Sequence, residues 1–159
     1  VAIQNKRGLA GVVGAAAAAA LLIFTPPMEG RVKTTYRDFG NGVLTYCDGA
    51  TENAIWGKTY TTAECDAQLD RDLTRHAIGV MSCTTANLTD GQKVAYTDFA
   101  YNVGIAAYCS STVARKANAG DVRGSCDALL MWNRAAGKVW PGLTRRREAE
   151  RQICLKGIA

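Results

Sequence analysis

A chain of 159 residues, 48% hydrophobic and 21% charged, suits one compact domain with an ordinary core, and excludes disordered, collagen-like and modular architectures. Its 19 Lys and Arg against 14 Asp and Glu leave a net charge of +5. That sign favours a polyanionic partner without choosing among nucleic acid, acidic lipid and anionic cell wall, and a merely soluble basic surface also explains it.

In chain order, the first feature is a run from Gly8 to Met28, 21 positions without a charge, preceded by Lys6 and Arg7. A helix of that length crosses a hydrocarbon core of about 30 Å. Basic residues on its N-terminal flank favour a cytoplasmic N-terminus, with everything after Pro26 and Pro27 across the membrane. Three glycines and the run Ala15 to Ala20 add little transfer energy, so Leu9, Val12, Val13 and Leu21 to Phe24 hold a weak anchor. A cleaved signal peptide, a permanent anchor and a helix that inserts and later escapes compete. The large residues before the prolines give no small-x-small cleavage site. An Ala-rich buried helix of a cytosolic protein fits helix propensity equally well. The six cysteines, an even number in a short chain, argue instead for an oxidising compartment and a disulfide framework.

After the prolines, Met28 to Tyr36 forms a short amphipathic stretch, and Gly40-Asn41-Gly42 between Tyr36 and Val43, Leu44 and Tyr46 reads as a hairpin. Gly57 to Tyr60 adds a possible third strand. Thr61 with Glu64, and Thr89 with Gln92, are capping boxes that open helices. The first carries Cys65, Leu69, Leu73 and Val80 on one face; the second carries Val94, Ala95 and Phe99 and ends at Gly104 in a left-handed cap. Further helices are expected over Ser111 to Asn118, closed by Gly120, from an Asp121 cap to near Gly137, and over Thr144 to Leu155. The body is α+β: mostly helical, with one small N-terminal antiparallel sheet.

Glu29 precedes Asp38 with eight residues between them, and Thr45 follows after six more. A carboxylic acid near a helix, a carboxylate on an adjoining hairpin and a hydroxyl beside it can supply acid and base for glycoside hydrolysis. Such spacing alone is common on solvated surfaces. What surrounds it is more specific: Glu29-Gly30, Tyr36-Arg37-Asp38, Gly42-Val-Leu-Thr45, Gly49 and Thr51, followed in order by Gly57-Lys-Thr-Tyr-Thr-Thr-Ala-Glu-Cys65, Ala100-Tyr-Asn-Val-Gly104, Ser111-Thr112 and Gly137-Lys-Val-Trp-Pro-Gly-Leu143 with Arg146-Arg147-Glu148. Over residues 28–157 this order resembles the phage-type lysozymes. With the Gly/Ala-rich N-terminal run, the chain resembles their signal-anchor-release endolysins.

The resemblance implies a lysozyme-like fold in residues 28–159 behind a weakly hydrophobic helical signal-anchor-release segment, residues 1–27. It implies a muramidase that hydrolyses the β-1,4 bond between N-acetylmuramic acid and N-acetylglucosamine in peptidoglycan for host lysis. Glu29 would be the general acid, which requires a raised pKa in a partly desolvated cleft. Asp38 would orient water or stabilise oxocarbenium-like charge, and Thr45 would hold the water. Inversion at the sugar would follow, with a carboxyl separation of about 6.5–9.5 Å. The Asp38–Thr45 interval is one residue longer than is usual in that family, at Gly40-Asn41-Gly42, and Ala50 stands where many relatives have His. The implied disulfides are Cys47–Cys65, Cys83–Cys109 and Cys126–Cys154. The implied course is insertion in the host inner membrane through residues 8–25, N-terminus cytoplasmic and body periplasmic, inactive while tethered, then release to the periplasm as a monomer.

In that family an arginine near Arg146 or Arg147 approaches the glutamate. The charge pattern of Arg145, Arg147, Glu148, Glu150 and Arg151 instead favours a solvated helix face, which is the expectation taken here. His76, on the face with Leu69 and Leu73, reads as core and Asn102 as a brace; Trp56, Trp132 and Trp140 could stack on sugars, but burial is the expectation. No zinc spacing or phosphate loop implies a metal or cofactor, and nucleic-acid binding has only net charge behind it. The rivals are a noncatalytic peptidoglycan-binding or inhibitory protein of the same fold, a lytic transglycosylase, and a pore-forming membrane protein.

Overall fold

The computed structural model describes residues 7–156. The apolar N-terminal run is not one helix: it is divided at Gly14, whose φ of 91° and ψ of 158° only glycine adopts readily, into α1 (Leu9–Val13) and α2 (Ala15–Glu29). The prolines do not end α2. It runs through Pro26 and Pro27 to Glu29, although the missing N–H groups leave the carbonyls of the exposed Leu22 and Ile23 without helical donors. Gly30, in the left-handed conformation, closes it by donating to the Pro26 carbonyl.

One face of this segment is built into the body. Leu9, Val13, Ala17, Ala18 and Leu21 form a core cluster with Leu69, Leu73 and Ala77 of α3 (Thr62–Cys83) and Val94 of α4 (Asp90–Val103). The alanines recur at the contact because a methyl lets two helices approach closely. Among the described residues no helix is long and apolar enough to cross a membrane.

β1 (Val32–Arg37) and β2 (Leu44–Cys47) form the expected antiparallel hairpin, with Tyr36 opposite Thr45 and Arg37 opposite Leu44. The third strand is reduced to a bridge between Thr34 and Thr59, with the Tyr60 amide donating to Lys33 and the Thr35 amide to Lys58. α3 and α4 begin at complete capping boxes on Thr61 and Thr89. α4 is the central helix, buried from Val94 through Ala100, and it carries Tyr96 and Phe99 into a second core with Val80, Tyr108, Val113 and Leu129. Gly104 ends α4 with positive φ but an extended ψ of 151°, and the chain turns directly into α5 (Ile105–Cys109).

Ser111 and Asp121 cap α6 (Thr112–Asn118) and α7 (Val122–Ala128). The helix expected to reach Gly137 stops at Ala128. It tightens into a 3₁₀ turn, Leu129–Met131, and a two-residue hairpin follows, β3 (Arg134–Ala135) and β4 (Lys138–Val139), turning on Ala136 and Gly137 at positive φ. α8 (Pro141–Leu155) starts three residues before Thr144 because Pro141 suits the first helical position. The disulfides are those the resemblance implied: Cys47–Cys65 ties β2 to α3, Cys83–Cys109 ties α3 to α5, and Cys126–Cys154 ties α7 to α8.

Candidate active site

Glu29 is the last residue of α2, so the helix that fills the N-terminal core also delivers this carboxyl to a cleft of about 270 Å³. Gly49, Thr51 and Glu52 form one wall of the cleft, Asp72, Arg75 and His76 of α3 a second, and Tyr101 and Asn102 of α4 a third. The Glu29 side chain is 17% exposed. Its Oε1 accepts from Arg146 Nη1 at 2.6 Å. Burial pushes its pKa above the ordinary carboxylate value; the charge and hydrogen bond of Arg146 oppose that rise, and Asp98 and Asp48 add to it.

The partner of Glu29 corrects an expectation. Arg146 is 4% exposed and Arg147 fully buried, so this face of α8 is not solvated. Arg146 bridges two carboxylates: Nε donates to Asp98 Oδ2 at 2.9 Å, Nη2 to Asp98 Oδ1 at 3.1 Å, and Nη1 to Glu29. Asp98 also accepts from the Thr25 hydroxyl at 2.8 Å. Burial alone would raise the Asp98 pKa, but Arg146, Glu150 and Thr25 hold it below the ordinary value. Arg147 lies over the Phe99 ring, 4.9 Å from its centre, and donates to Glu150 Oε1 at 2.7 Å. Burial drives the Glu150 carboxyl well upward. Sequence reasoning passed over Thr25 and Asp98 and took Glu150, which is fully buried, for part of a solvated face. The one available signal was an acid set inside the otherwise uncharged run Val94 to Val103 of α4.

The turn from Tyr46 to Ala50 fits over the carboxyl. Tyr46 and Ala50 exchange backbone hydrogen bonds, Arg31 holds the buried Asp48 with two nitrogens, and the Tyr101 hydroxyl donates to the Asp48 carbonyl. Gly49 stands at φ 83°, and a Cβ there would lie 3.2 Å from Glu29 Oε2. Glycine adopts that conformation without strain and makes that approach without displacing the carboxyl.

Asp38 lies in the hairpin turn. Its carboxylate accepts from the amides of Gly40 and Asn41, and its own amide donates to the Val43 carbonyl. The buried Thr45 hydroxyl donates to that same carbonyl at 3.1 Å, so a single acceptor links the backbone of Asp38 to Thr45. Tyr36 is close to both acids: burial first, then the charges of Asp38 and Glu29, push its phenol upward. Of the three expected site residues only Glu29 lines the cleft; Asp38 and Thr45 lie on the adjoining hairpin, with their side-chain hydrogen bonds made inside it.

His76 is buried, with Nδ1 2.6 Å from the Asp72 carbonyl and its ring tilted on Tyr101. Asn102 is exposed on the cleft wall. Trp132 packs edge-on against Phe99, but Trp56 and Trp140 are 64% and 50% exposed, against the expectation of burial: the Trp56 ring lies under the Arg37 guanidinium and the Trp140 indole donates to the Ala135 carbonyl. Among the described residues no group of three His, Cys, Asp or Glu is placed to hold a metal ion.

A family model described as phage lysozyme matches residues 27–150. A SAR-endolysin of bacteriophage PS119 is 41% identical over 155 residues, covering 94% of this chain and 92% of the relative. A SAR-endolysin of Enterobacteria phage P21 is 40% identical over 159 residues, 96% of each chain. Among solved structures, the muramidase domain of SpmX from Asticaccaulis excentricus superposes with a TM-score of 0.80 at 28% identity, covering 86% of this chain and 95% of that one.

Proposed function

This chain belongs to the phage lysozyme family, and from that premise and the geometry of the cleft we propose how it acts. It is an endolysin muramidase, a glycoside hydrolase that degrades peptidoglycan for host lysis. In our reading Glu29 is the general acid that protonates the glycosidic oxygen. The observation that carries this is a carboxyl lining the cleft, held by Arg146 yet desolvated enough that its pKa is raised. A general acid must still hold its proton near the operating pH, and desolvation is the means available. Asp38 stabilises positive charge developing on the sugar or orients water, and Thr45 holds that water beside it. The Val43 carbonyl they share supports pairing the two.

We assign residues 1–27 as the signal-anchor-release segment and 28–159 as the catalytic domain, acting as a monomer. Residues 8–25 first lie in the host inner membrane, N-terminus cytoplasmic and body periplasmic, and later leave it. Supporting this are the uncharged run from Gly8 to Met28 and the SAR-endolysin relatives. Insertion and the packed state exclude each other, because Ala17 and Leu21 cannot face lipid and α3 together. With only Pro26, Pro27 and Met28 between the run and Glu29, extended chain of about 3.3–3.6 Å per residue keeps the glutamate within roughly 10 Å of the bilayer. The tethered enzyme is inactive for that reason.

The test uses the full oxidised chain from the soluble fraction and its Glu29→Gln variant on purified peptidoglycan, with fragment masses recorded. We expect fragments with hydrolysed ends from the parent and none from the folded variant. Anhydro ends would identify a transglycosylase. Equal activity in the variant would move the acid elsewhere.

A further inference from the structure

We infer that the buried hydroxyl of Thr25 is a positioning group for bond cleavage: by holding the Asp98 carboxylate it fixes how the Arg146 guanidinium is divided between Asp98 and Glu29. The inference rests on the reading of Glu29 as general acid.

Thr25 and Glu29 are four residues apart on α2 and therefore share a face of the helix. A helical threonine commonly turns its hydroxyl back to its own backbone. The Thr25 hydroxyl instead crosses to Asp98 of α4, 73 residues away in sequence. Asp98 consequently accepts three hydrogen bonds: one from Thr25, and two from Nε and Nη2 of Arg146. Only Nη1 is directed to Glu29. The guanidinium is planar and rigid, so the seat of Asp98 fixes the direction of Nη1, and Thr25 fixes one oxygen of that seat.

Without the hydroxyl, Asp98 Oδ1 loses the Thr25 bond and keeps that from Arg146 Nη2. The guanidinium is drawn toward the less compensated charge and away from Glu29, and that charge acts more strongly on Glu29. Both changes favour protonated Glu29. The groups facing Glu29 are Arg146 from α8, Asp98 and Tyr101 from α4, Asp48 from the turn after β2 and Tyr36 from β1, with Glu52, and Asp72, Arg75 and His76 of α3, on the walls of the same cleft. Those facing Asp98 are Arg146 and Glu150 from α8, with Arg147 next to them. A substitution at Thr25 changes the charge of none of these.

A general acid acts while protonated, so activity falls on the alkaline side as Glu29 ionises, and a higher Glu29 pKa moves that limb to higher pH. For the full chain on soluble peptidoglycan strands, Thr25→Val, which keeps shape and removes the hydroxyl, should shift the alkaline limb of kcat/KM upward by about half a pH unit, roughly threefold in the protonated fraction on the limb. KM should stay nearly unchanged. Thr25→Ser should keep the parental limb. A parental limb in the Val variant, or a displaced one in the Ser variant, overturns the inference.

Asp98→Asn guards against a Val variant that fails to fold. In that background Thr25→Val should be tolerated and should leave the limb where Asp98→Asn alone puts it. Tolerance only there supports the inference. A Val substitution tolerated in neither background means that packing needs Thr25, and the inference fails. Glu29→Gln separates the two levels: an inactive Gln variant beside an unmoved Thr25→Val limb overturns this inference alone, whereas an active Gln variant overturns the general-acid reading beneath it.

Discussion

At the residue scale, Glu29 is governed by opposed influences, of which burial prevails. Burial raises its pKa and Arg146 lowers it. Glu29 and Asp98 hydrogen-bond one buried guanidinium and Glu150 lies 3.6 Å from it, so Glu29 does not hold the whole cation, and that division lets a carboxyl touching arginine remain a usable acid. Gly49 belongs to the same arrangement. Its φ of 83° and its approach to Glu29 Oε2 disfavour a side chain there. In Gly49→Ala a left-handed backbone strained by about 1–2 kcal/mol and a Cβ pressed on the carboxylate act together. We expect kcat/KM on peptidoglycan to fall about tenfold or more, with the unfolding midpoint lowered only as far as the backbone strain requires. Parental kcat/KM would show that the turn does not constrain the carboxyl. The raised Glu29 pKa was expected from the resemblance, which also put an arginine near the glutamate, but the residues of α8 themselves argued against that contact. Arg146 stands among Arg145, Arg147, Glu148, Glu150 and Arg151, a composition that reads as solvated, and only the position of α8 against α4 buries it.

At the scale of elements, what is encoded locally was readable and what depends on neighbours was not. Thr61, Thr89, Ser111 and Asp121 start their helices as expected, because a cap is satisfied within four residues of itself. The hairpin at Gly40 to Gly42 was legible for the same reason. The β3–β4 hairpin was hidden within a helix-like pattern at Trp132, whose ring is taken up by Phe99. Gly14 was read as a weak residue of one long helix, but its positive φ breaks that helix and folds α1 beside α2 onto α3 and α4. This gives Gly14 a predicted role in release. Gly14→Ala disfavours the break by about 1–2 kcal/mol and favours a continuous apolar helix from Leu9 onward. A larger share of the chain should then remain with membranes on cell fractionation, and the soluble share should melt at lower temperature. Unchanged partition would mean that the break contributes nothing to leaving the bilayer.

At the scale of the whole molecule, the apolar segment is structural in the packed state. Leu9, Val13 and Leu21 are all but fully buried, and burial of such side chains contributes about 1.5–3 kcal/mol each. Domains of this size are stable by about 5–15 kcal/mol. Removing the segment would therefore cancel much of the total, uncover Leu69, Leu73 and Val94, and take Thr25 away from Asp98. Cleavage ahead of the prolines, which would be harmless to an enzyme whose leader is only an address, should be damaging here. The disulfides cannot compensate: Cys47–Cys65, Cys83–Cys109 and Cys126–Cys154 brace β2, α3, α5, α7 and α8, and none reaches α1 or α2. We predict that oxidised residues 26–159 show reduced helicity by circular dichroism, bind a dye for exposed apolar surface, and lose at least tenfold in peptidoglycan hydrolysis against the full chain. Full activity in that fragment would mean that Glu29 finds its place without the helix that carries it, and that the membrane segment restrains the enzyme without helping to build it.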